Sequence, residues 1–188
     1  MKINYLHWER KLKPNKGIKI IFICKGNMHR SPIAERIFKK ELKKRSYPDS
    51  IKVDSYGLHG FILPPPKGKC LKDYPTEYKL SKPHLDKKGI SMEEHIFKPL
   101  SENILKEASL IITMHPDVTR LLLDKHPSIK NKTFLLTELC SKNVIIKDVD
   151  GSKDPKVYEE TINNLELCIL KSFDKIIALG EQIEACHS

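Results

Sequence analysis

The chain has 188 residues, of which 39% are hydrophobic, and this is enough for one domain with a buried core. No apolar stretch approaches the roughly 18 residues of a membrane span, and charges interrupt residues 1–13, which argues against a secretory signal. The five cysteines have no regular spacing, so we expect no disulfide framework and a cytoplasmic protein with reduced thiols.

The net charge of +10 arises in the first part of the chain. Residues 1–50 contain 14 Lys and Arg against 4 Asp and Glu, whereas the remaining residues contain 20 of each. Such a region is commonly a solvated surface, but it also attracts anionic substrates, RNA or an acidic membrane. We interpret residues 1–16 as a basic N-terminal extension, because their end has the composition of a linker, and residues 17–188 as one domain.

The first predicted strand leads directly into a loop and a helix. Ile18 to Ile23 is a run of mostly apolar, β-branched residues, typical of a buried strand, and it ends at Cys24. Ser31 followed by Pro32 is typical of a helix N-cap and first helical position, and an amphipathic pattern continues to about Arg45. The sequence therefore predicts a strand, a short loop and a helix N-terminus in succession.

This succession predicts an anion-binding site. Backbone N–H groups from Lys25 to Ser31, together with the helix dipole, favour a bound oxyanion. Gly26 and Asn27 accept the left-handed conformations that such a loop needs, and Arg30 offers a planar fork to two phosphate oxygens. In this positive field we expect Cys24 to be a thiolate, which is a nucleophile for phosphorus.

The loop sequence CKGNMHRSP, from Cys24 to Pro32, closely resembles the phosphate-binding loop of the low-molecular-weight protein tyrosine phosphatases, Cys-x-Gly-Asn-x-x-Arg-Ser-Pro. The resemblance implies that Cys24 is the nucleophile and that Arg30 binds the phosphate. It also implies that Asn27 shapes the loop and that Ser31 stabilises the thiolate through its hydroxyl. Ser55, in a segment similar to the family's Ser-Ala-Gly, would support the loop. The predicted substrate- and phosphate-binding residues are Lys25, Gly26, Asn27, Met28, His29 and Ser31.

Strands and helices alternate along the rest of the chain. The further predicted strands are 51–54, 108–114 and 132–136, and the further predicted helices are 101–107, 116–125 and 155–184. Continuous apolar strands between helices indicate an α/β fold in which a four-stranded parallel sheet carries helices on both faces. Ligands of such sheets bind at the carboxyl ends of the strands, where Cys24 lies. The Pro- and Tyr-rich residues 61–83 are either part of the pocket wall or a surface loop.

Cleavage of a phosphate ester needs a proton for the leaving oxygen, and a carboxyl group is the usual donor. Members of the family that this chain resembles carry the acid in an Asp-Pro pair, often before an aromatic residue, in the loop preceding the final helix. Here the Asp-Pro pair at Asp154 lies too close to the helix and is better explained as its N-cap. Asp150 has the spacing nearest to the family's and is the predicted acid, with Asp148 and Asp154 as alternatives.

Two positions of the loop differ from many members of that family. His29 stands where they carry a second cysteine that protects the nucleophile as a disulfide, so we expect Cys24 to be sensitive to peroxide. Met28 is bulky where arginine-phosphate-specific members carry Thr, and this favours phosphotyrosine. The aromatic residue after the acid is missing, and its candidate replacements are Tyr56, Phe61 and Tyr158.

The sequence therefore predicts a phosphatase that acts on phosphotyrosine, a related phosphorylated side chain or a small phosphoester through a phosphocysteine. No cofactor or metal is expected, because the loop and Arg30 supply positive charge and the histidines show no zinc-type pairing. An arsenate reductase with this loop would need two further cysteines close together, and Cys70, Cys140, Cys168 and Cys186 form no close pair in the sequence. A module that binds phosphate or RNA without turnover is the other alternative, because the first quarter of the chain is basic.

Overall fold

The computed structural model describes residues 17–140 and 144–186. The strands are β1 (Lys19–Cys24), β2 (Lys52–Gly57), β3 (Leu110–Thr113) and β4 (Thr133–Leu135). The helices are α1 (Arg30–Lys44), α2 (Pro75–Lys87), α3 (Glu102–Glu107), α4 (Pro116–Lys125), α5 (Leu136–Cys140) and α6 (Pro155–Cys186). The strands form one parallel sheet in the order β2-β1-β3-β4, which confirms the predicted fold class. Across these ranges no helix combines the length and the hydropathy needed to cross a bilayer.

The strand β1 lies at the centre of two hydrophobic cores. Because side chains alternate along a strand, Ile20 and Phe22 join the core that contains α1 and α6, whereas Ile21 and Ile23 join the core that contains α3 and α4. All four of these side chains are fully buried. Helices therefore cover both faces of the sheet, as predicted. The extension proposed for residues 1–16 lies outside the described residues.

Two element boundaries differ from the prediction in ways that affect the loop after β1. Helix α1 begins at Arg30, with His29 at its N-cap, so Ser31 lies in the first turn instead of capping the helix. The Ser31 hydroxyl is directed to the Cys24 thiol, and this contact replaces the cap. Strand β2 continues to Gly57, because it stays paired with β1 as far as Cys24, and Ser55 therefore lies within the strand.

Residues 61–83 contain more regular structure than their composition indicates. A short 3₁₀ turn, Leu71–Asp73, precedes α2, and Pro75 occupies the first helical position, where the missing N–H leaves no hydrogen bond unmade. Pro83 lies inside α2 and does not end it. The helix ends at Lys87, and Gly89 follows with a φ of +62°, the left-handed conformation expected after a helix.

Candidate active site

The thiol of Cys24 accepts two hydrogen bonds, one from the loop that follows it and one from the first turn of α1. Cys24 is the last residue of β1 and is only 2% exposed. The backbone N–H of Asn27 donates to Sγ at 3.1 Å, and the hydroxyl of Ser31 donates to it at 3.0 Å. Hydrogen bonds to the charged form of an acid favour that form, so both contacts stabilise a thiolate.

Asn27 holds the loop in shape from behind. It adopts a φ of 53°, is fully buried, and donates through Nδ2 to Ser31 Oγ at 3.0 Å and to Ser55 Oγ at 2.9 Å. Its Oδ1 accepts from the backbone N–H of Lys98 at 2.9 Å, and its carbonyl oxygen accepts from His95 Nε2 at 2.7 Å. The left-handed backbone is thus fixed by contacts within the protein, before any anion binds.

The loop also packs against β2 without an intervening side chain. A Cβ atom on Gly57 would lie 3.0 Å from the carbonyl carbon of Gly26 and 3.1 Å from the backbone nitrogen of Asn27. Beside it, the fully buried Ser55 donates its hydroxyl to Glu35 at 2.6 Å while accepting from Asn27. The position of the loop therefore depends on a glycine and a serine of the neighbouring strand.

His29 is buried and neutral. Its pKa is lowered to about 3, mainly by burial and to a smaller extent by the positive charge of Arg30, whereas the negative charge of Asp148 acts to raise it. Its Nε2 forms a hydrogen bond of 2.9 Å with Ser81 Oγ of α2, and its Nδ1 has no hydrogen-bond partner among the described residues. The ring lies edge-on to that of Tyr158, with centroids 6.1 Å apart and planes at 82°.

A pocket of about 510 Å³ opens above Cys24. The loop provides one wall, residues 59–67 and the start of α2 provide two others, and the turn at 148–150 provides the last. The lining residues are Cys24, Lys25, Gly26, Met28, His29, Arg30, His59, Pro65, Pro66, Lys67, Leu71, Tyr74, Glu77, Asp148, Val149 and Asp150. Residues from the Pro- and Tyr-rich segment are therefore part of the pocket wall, one of the two possibilities that the sequence left open. Asn27 and Ser31 are fully buried and do not line the pocket.

The aromatic residue that lines the pocket is not among the three proposed from the sequence. Tyr56 and Tyr158 are buried, and neither they nor Phe61 belong to the pocket lining in the described ranges. Tyr74, the N-cap residue of α2, lines it instead, and its hydroxyl oxygen accepts from the backbone N–H of Gly68 at 3.1 Å. The local signal was a tyrosine directly before a helix-starting proline, which says nothing about where that helix packs.

Of the three candidate acids, two lie in the pocket. Asp148 contacts the guanidinium of Arg30, a side chain that is only 5% exposed. Asp150 also lines the pocket, and its backbone N–H donates to Asp148 Oδ1 at 3.4 Å. Asp154 is outside the pocket and accepts from the backbone N–H of Lys156 at 3.0 Å, the N-cap role expected for it.

Two cysteines that are distant in sequence lie together in the fold. The packing of α5 on α6 brings Cys140 against Cys168. Burial raises the pKa of the Cys168 thiol, and a hydrogen bond with Cys140 raises it further. The sequence showed no such pair, because the contact is tertiary. Neither thiol lines the pocket. Among the described residues, Cys24 is the one cysteine that does.

The family model "Low molecular weight phosphotyrosine protein phosphatase" matches residues 19–185. The chain belongs to this family. The match runs from the first residue of β1 almost to the end of α6, and it includes every residue that lines the pocket. The protein is accordingly a cysteine-dependent low molecular weight phosphatase, with Cys24 at the loop that follows the first strand.

Relatives named for two different phosphorylated residues are similar to this low molecular weight phosphatase. A low molecular weight protein-tyrosine-phosphatase of Acinetobacter johnsonii is 29% identical over 150 residues, which cover 80% of this chain and 92% of the relative. A protein-arginine-phosphatase of Bacillus subtilis is 28% identical over 153 residues, which cover 78% and 89%. The solved structure of a Bacillus subtilis YwlE mutant superposes with a TM-score of 0.68 and 26% identity, over 86% of this chain and 99% of that one. Identity alone therefore does not choose between the two substrates.

Proposed function

We propose that this phosphatase removes phosphate from phosphotyrosine side chains of proteins through a phosphocysteine on Cys24. The observation that carries the proposal is the placement of the Cys24 thiol, which lines the same pocket as Arg30 and accepts hydrogen bonds from Asn27 and Ser31. A thiolate stabilised by hydrogen bonds, in a pocket that a guanidinium also lines, is suited to attack phosphorus. The reduced thiol that this chemistry requires favours the cytoplasm as its location.

The reaction has two steps. The Cys24 thiolate attacks phosphorus and the ester bond breaks, while Arg30 and the loop amides bind the phosphoryl oxygens and a carboxyl group protonates the leaving oxygen. The resulting carboxylate then takes a proton from water, the water oxygen attacks the phosphocysteine, and inorganic phosphate leaves with the thiolate restored. Positive charge from Arg30 and the amides makes a metal ion unnecessary in this scheme.

The turn at 148–150 supplies the acid. The sequence predicts Asp150, whereas the contact between Asp148 and Arg30 places Asp148 nearer to the phosphate-binding group. We propose that one of these two carboxyl groups protonates the leaving oxygen and that the other shapes the mouth of the pocket. Asp154, as the N-cap of α6, is the matched control in the experiment below.

The lining of the pocket favours an aromatic phosphoester. Met28 and Tyr74, which are partly exposed, present apolar and aromatic surface beside the loop, on which a phenyl ring can pack. Phosphoarginine is the second candidate, because Glu77, Asp148 and Asp150 form an acidic wall that suits a guanidinium. The two are separated by comparing kcat/KM for a phosphotyrosine peptide and a phosphoarginine peptide of otherwise equal sequence.

The test is steady-state hydrolysis of p-nitrophenyl phosphate in the presence of a chelator. Wild-type protein should turn over, and Cys24→Ser should be inactive, because an alcohol at this site is not ionised. One of the variants Asp148→Asn and Asp150→Asn removes the acid. That variant should lose about 10²–10⁴-fold in kcat/KM for a substrate with a poor leaving group such as phenol. The control Asp154→Asn should keep its activity. Binding of phosphate without turnover in the wild type would support the binding module instead. If the protein also bound RNA with an affinity that falls steeply with salt concentration, the binding module would be an RNA-binding one.

A further inference from the structure

The turn that carries both candidate acids has little structure of its own. Of residues 148–152 only Val149 is buried, and the turn contains two internal hydrogen bonds, Ser152 N–H to Val149 O at 3.0 Å and Asp150 N–H to Asp148 Oδ1 at 3.4 Å. Gly151 has a φ of +72°, which makes a tight reversal possible. Contacts from other elements must therefore fix where its carboxyl groups lie; Arg30 contacts that of Asp148 directly, and the backbone of the turn needs a further contact.

Tyr158 makes the buried contact with this turn. Its ring is fully buried in the first turns of α6, and its hydroxyl lies 2.7 Å from the carbonyl oxygen of Ser152 and 3.1 Å from that of Val149. These two carbonyl groups flank Asp150 and Gly151. The single hydroxyl proton is shared between them, with the shorter contact to Ser152, so one hydroxyl contacts both ends of the reversal. From the outer side, Glu77 of α2 accepts from the backbone N–H of Gly151 at 3.3 Å.

The same ring also contacts the phosphate-binding side of the pocket. His29, which precedes Arg30 in the loop, packs its imidazole edge-on to the Tyr158 ring at 6.1 Å. His29 is in turn held to α2 by its hydrogen bond with Ser81. A single buried side chain therefore contacts the loop that binds phosphate on one side and the turn that carries the proton donor on the other.

We propose that Tyr158 is a positioning residue that aligns the acid turn with the phosphate-binding loop, and that its hydroxyl is the group responsible. This inference rests on the proposed phosphocysteine mechanism. Removing the hydroxyl while retaining the ring, as in Tyr158→Phe, removes the contact of α6 with the carbonyl groups of Val149 and Ser152 but leaves the contact with His29. The turn then loses its alignment, and proton donation to the leaving oxygen becomes inefficient, while phosphate binding is unaffected.

Leaving groups of different basicity separate this effect from a general loss of structure. Phenolate is strongly basic and needs a proton as the ester bond breaks, whereas 2,4-dinitrophenolate leaves without one. We therefore expect Tyr158→Phe to lower kcat/KM by about 10–100-fold for phenyl phosphate and by less than about threefold for 2,4-dinitrophenyl phosphate. The ratio of the two values on one sample does not depend on the folded fraction, so partial unfolding does not obscure it.

The matched control is Tyr47→Phe, which removes the hydroxyl of a tyrosine packed on Phe173 and outside the pocket, and should leave the ratio unchanged. An equal decrease for both substrates in Tyr158→Phe, or an unchanged kcat/KM for phenyl phosphate, overturns the inference while the mechanism stands. If the wild type fails to hydrolyse 2,4-dinitrophenyl phosphate, the proposed function itself is wrong, and the inference is overturned with it.

Discussion

The buried neutral state of His29 should make the fold sensitive to acid. Burial lowers the pKa of His29 to about 3 in the folded chain from its ordinary value of 6.5, so between these values the unfolded chain binds a proton that the folded chain does not. Stability therefore falls as the pH decreases through this interval. From the two pKa values, the loss attributable to His29 between pH 7.5 and pH 5 is about 2 kcal/mol.

The assay is urea unfolding, followed by far-UV circular dichroism, at pH 7.5 and pH 5 for the wild type and for His29→Gln. The quantity compared is the change in the free energy of unfolding between the two pH values, because the substitution also changes absolute stability. The wild type should lose about 2 kcal/mol more than the variant. His95, whose pKa burial also lowers, acts in the same direction in both proteins and cancels in the comparison.

Equal losses in the wild type and in His29→Gln would refute the reasoning. Such a result would mean that the imidazole takes up a proton in the folded state, and that the contacts with Ser81 and Tyr158 do not exclude a charged ring.

Two further predictions concern the loop after β1. Gly57→Ala should lower kcat/KM for p-nitrophenyl phosphate about tenfold or more, because the new Cβ atom would lie 3.0 Å from the Gly26 carbonyl carbon and displace the loop; full activity would show that the loop adjusts freely. Peroxide should inactivate the enzyme so that dithiothreitol restores little activity. Cys24 is the one cysteine that lines the pocket in the described ranges, so no neighbouring thiol traps its sulfenic acid as a disulfide, and further peroxide oxidises it to the sulfinic acid, which dithiothreitol does not reduce. Full recovery would contradict this expectation. If Cys140→Ser then recovered as much activity as the wild type, Cys140 would not be the thiol that protects Cys24.

The loop and the sheet were predictable because their signals are local. The apolar run before Cys24, the left-handed residue types in the loop and the following helix occur within a short stretch of sequence. They could therefore be recognised without the distant contacts that hold Asn27 in place. The bounds predicted for α4, 116–125, agree with those observed, because Pro116 marks its start and Lys125 its last turn. The sequence placed Ser31 correctly near the start of the helix. Its propensity for an N-cap could not show that its hydroxyl donates a hydrogen bond to the Cys24 thiol instead.

The walls of the pocket were not predictable in the same way, because they depend on tertiary packing. Tyr74 reaches the pocket through the position of α2. Gly89 indicated the end of that helix, but the proline-rich sequence before it indicated neither where the helix begins nor where it packs. The proximity of Cys140 to Cys168 likewise follows from the packing of α5 on α6. Spacing along the chain favoured Asp150 as the acid, whereas the proximity of Asp148 to Arg30 depends on how the turn folds back over the loop.

The packing of α5 on α6 has a consequence for how this enzyme can change over evolution. Because Cys140 touches Cys168, the segment that carries the acid turn begins and ends at helices that pack against each other. Closing such a segment costs little more chain entropy when it lengthens by a few residues, so an insertion that keeps the contacts of Val149 and Ser152 with Tyr158 is tolerated. The phosphate-binding loop lacks this freedom, since buried Asn27 connects it to four other residues. New leaving-group preferences can therefore arise in the acid segment, while recognition of the phosphoryl group stays fixed.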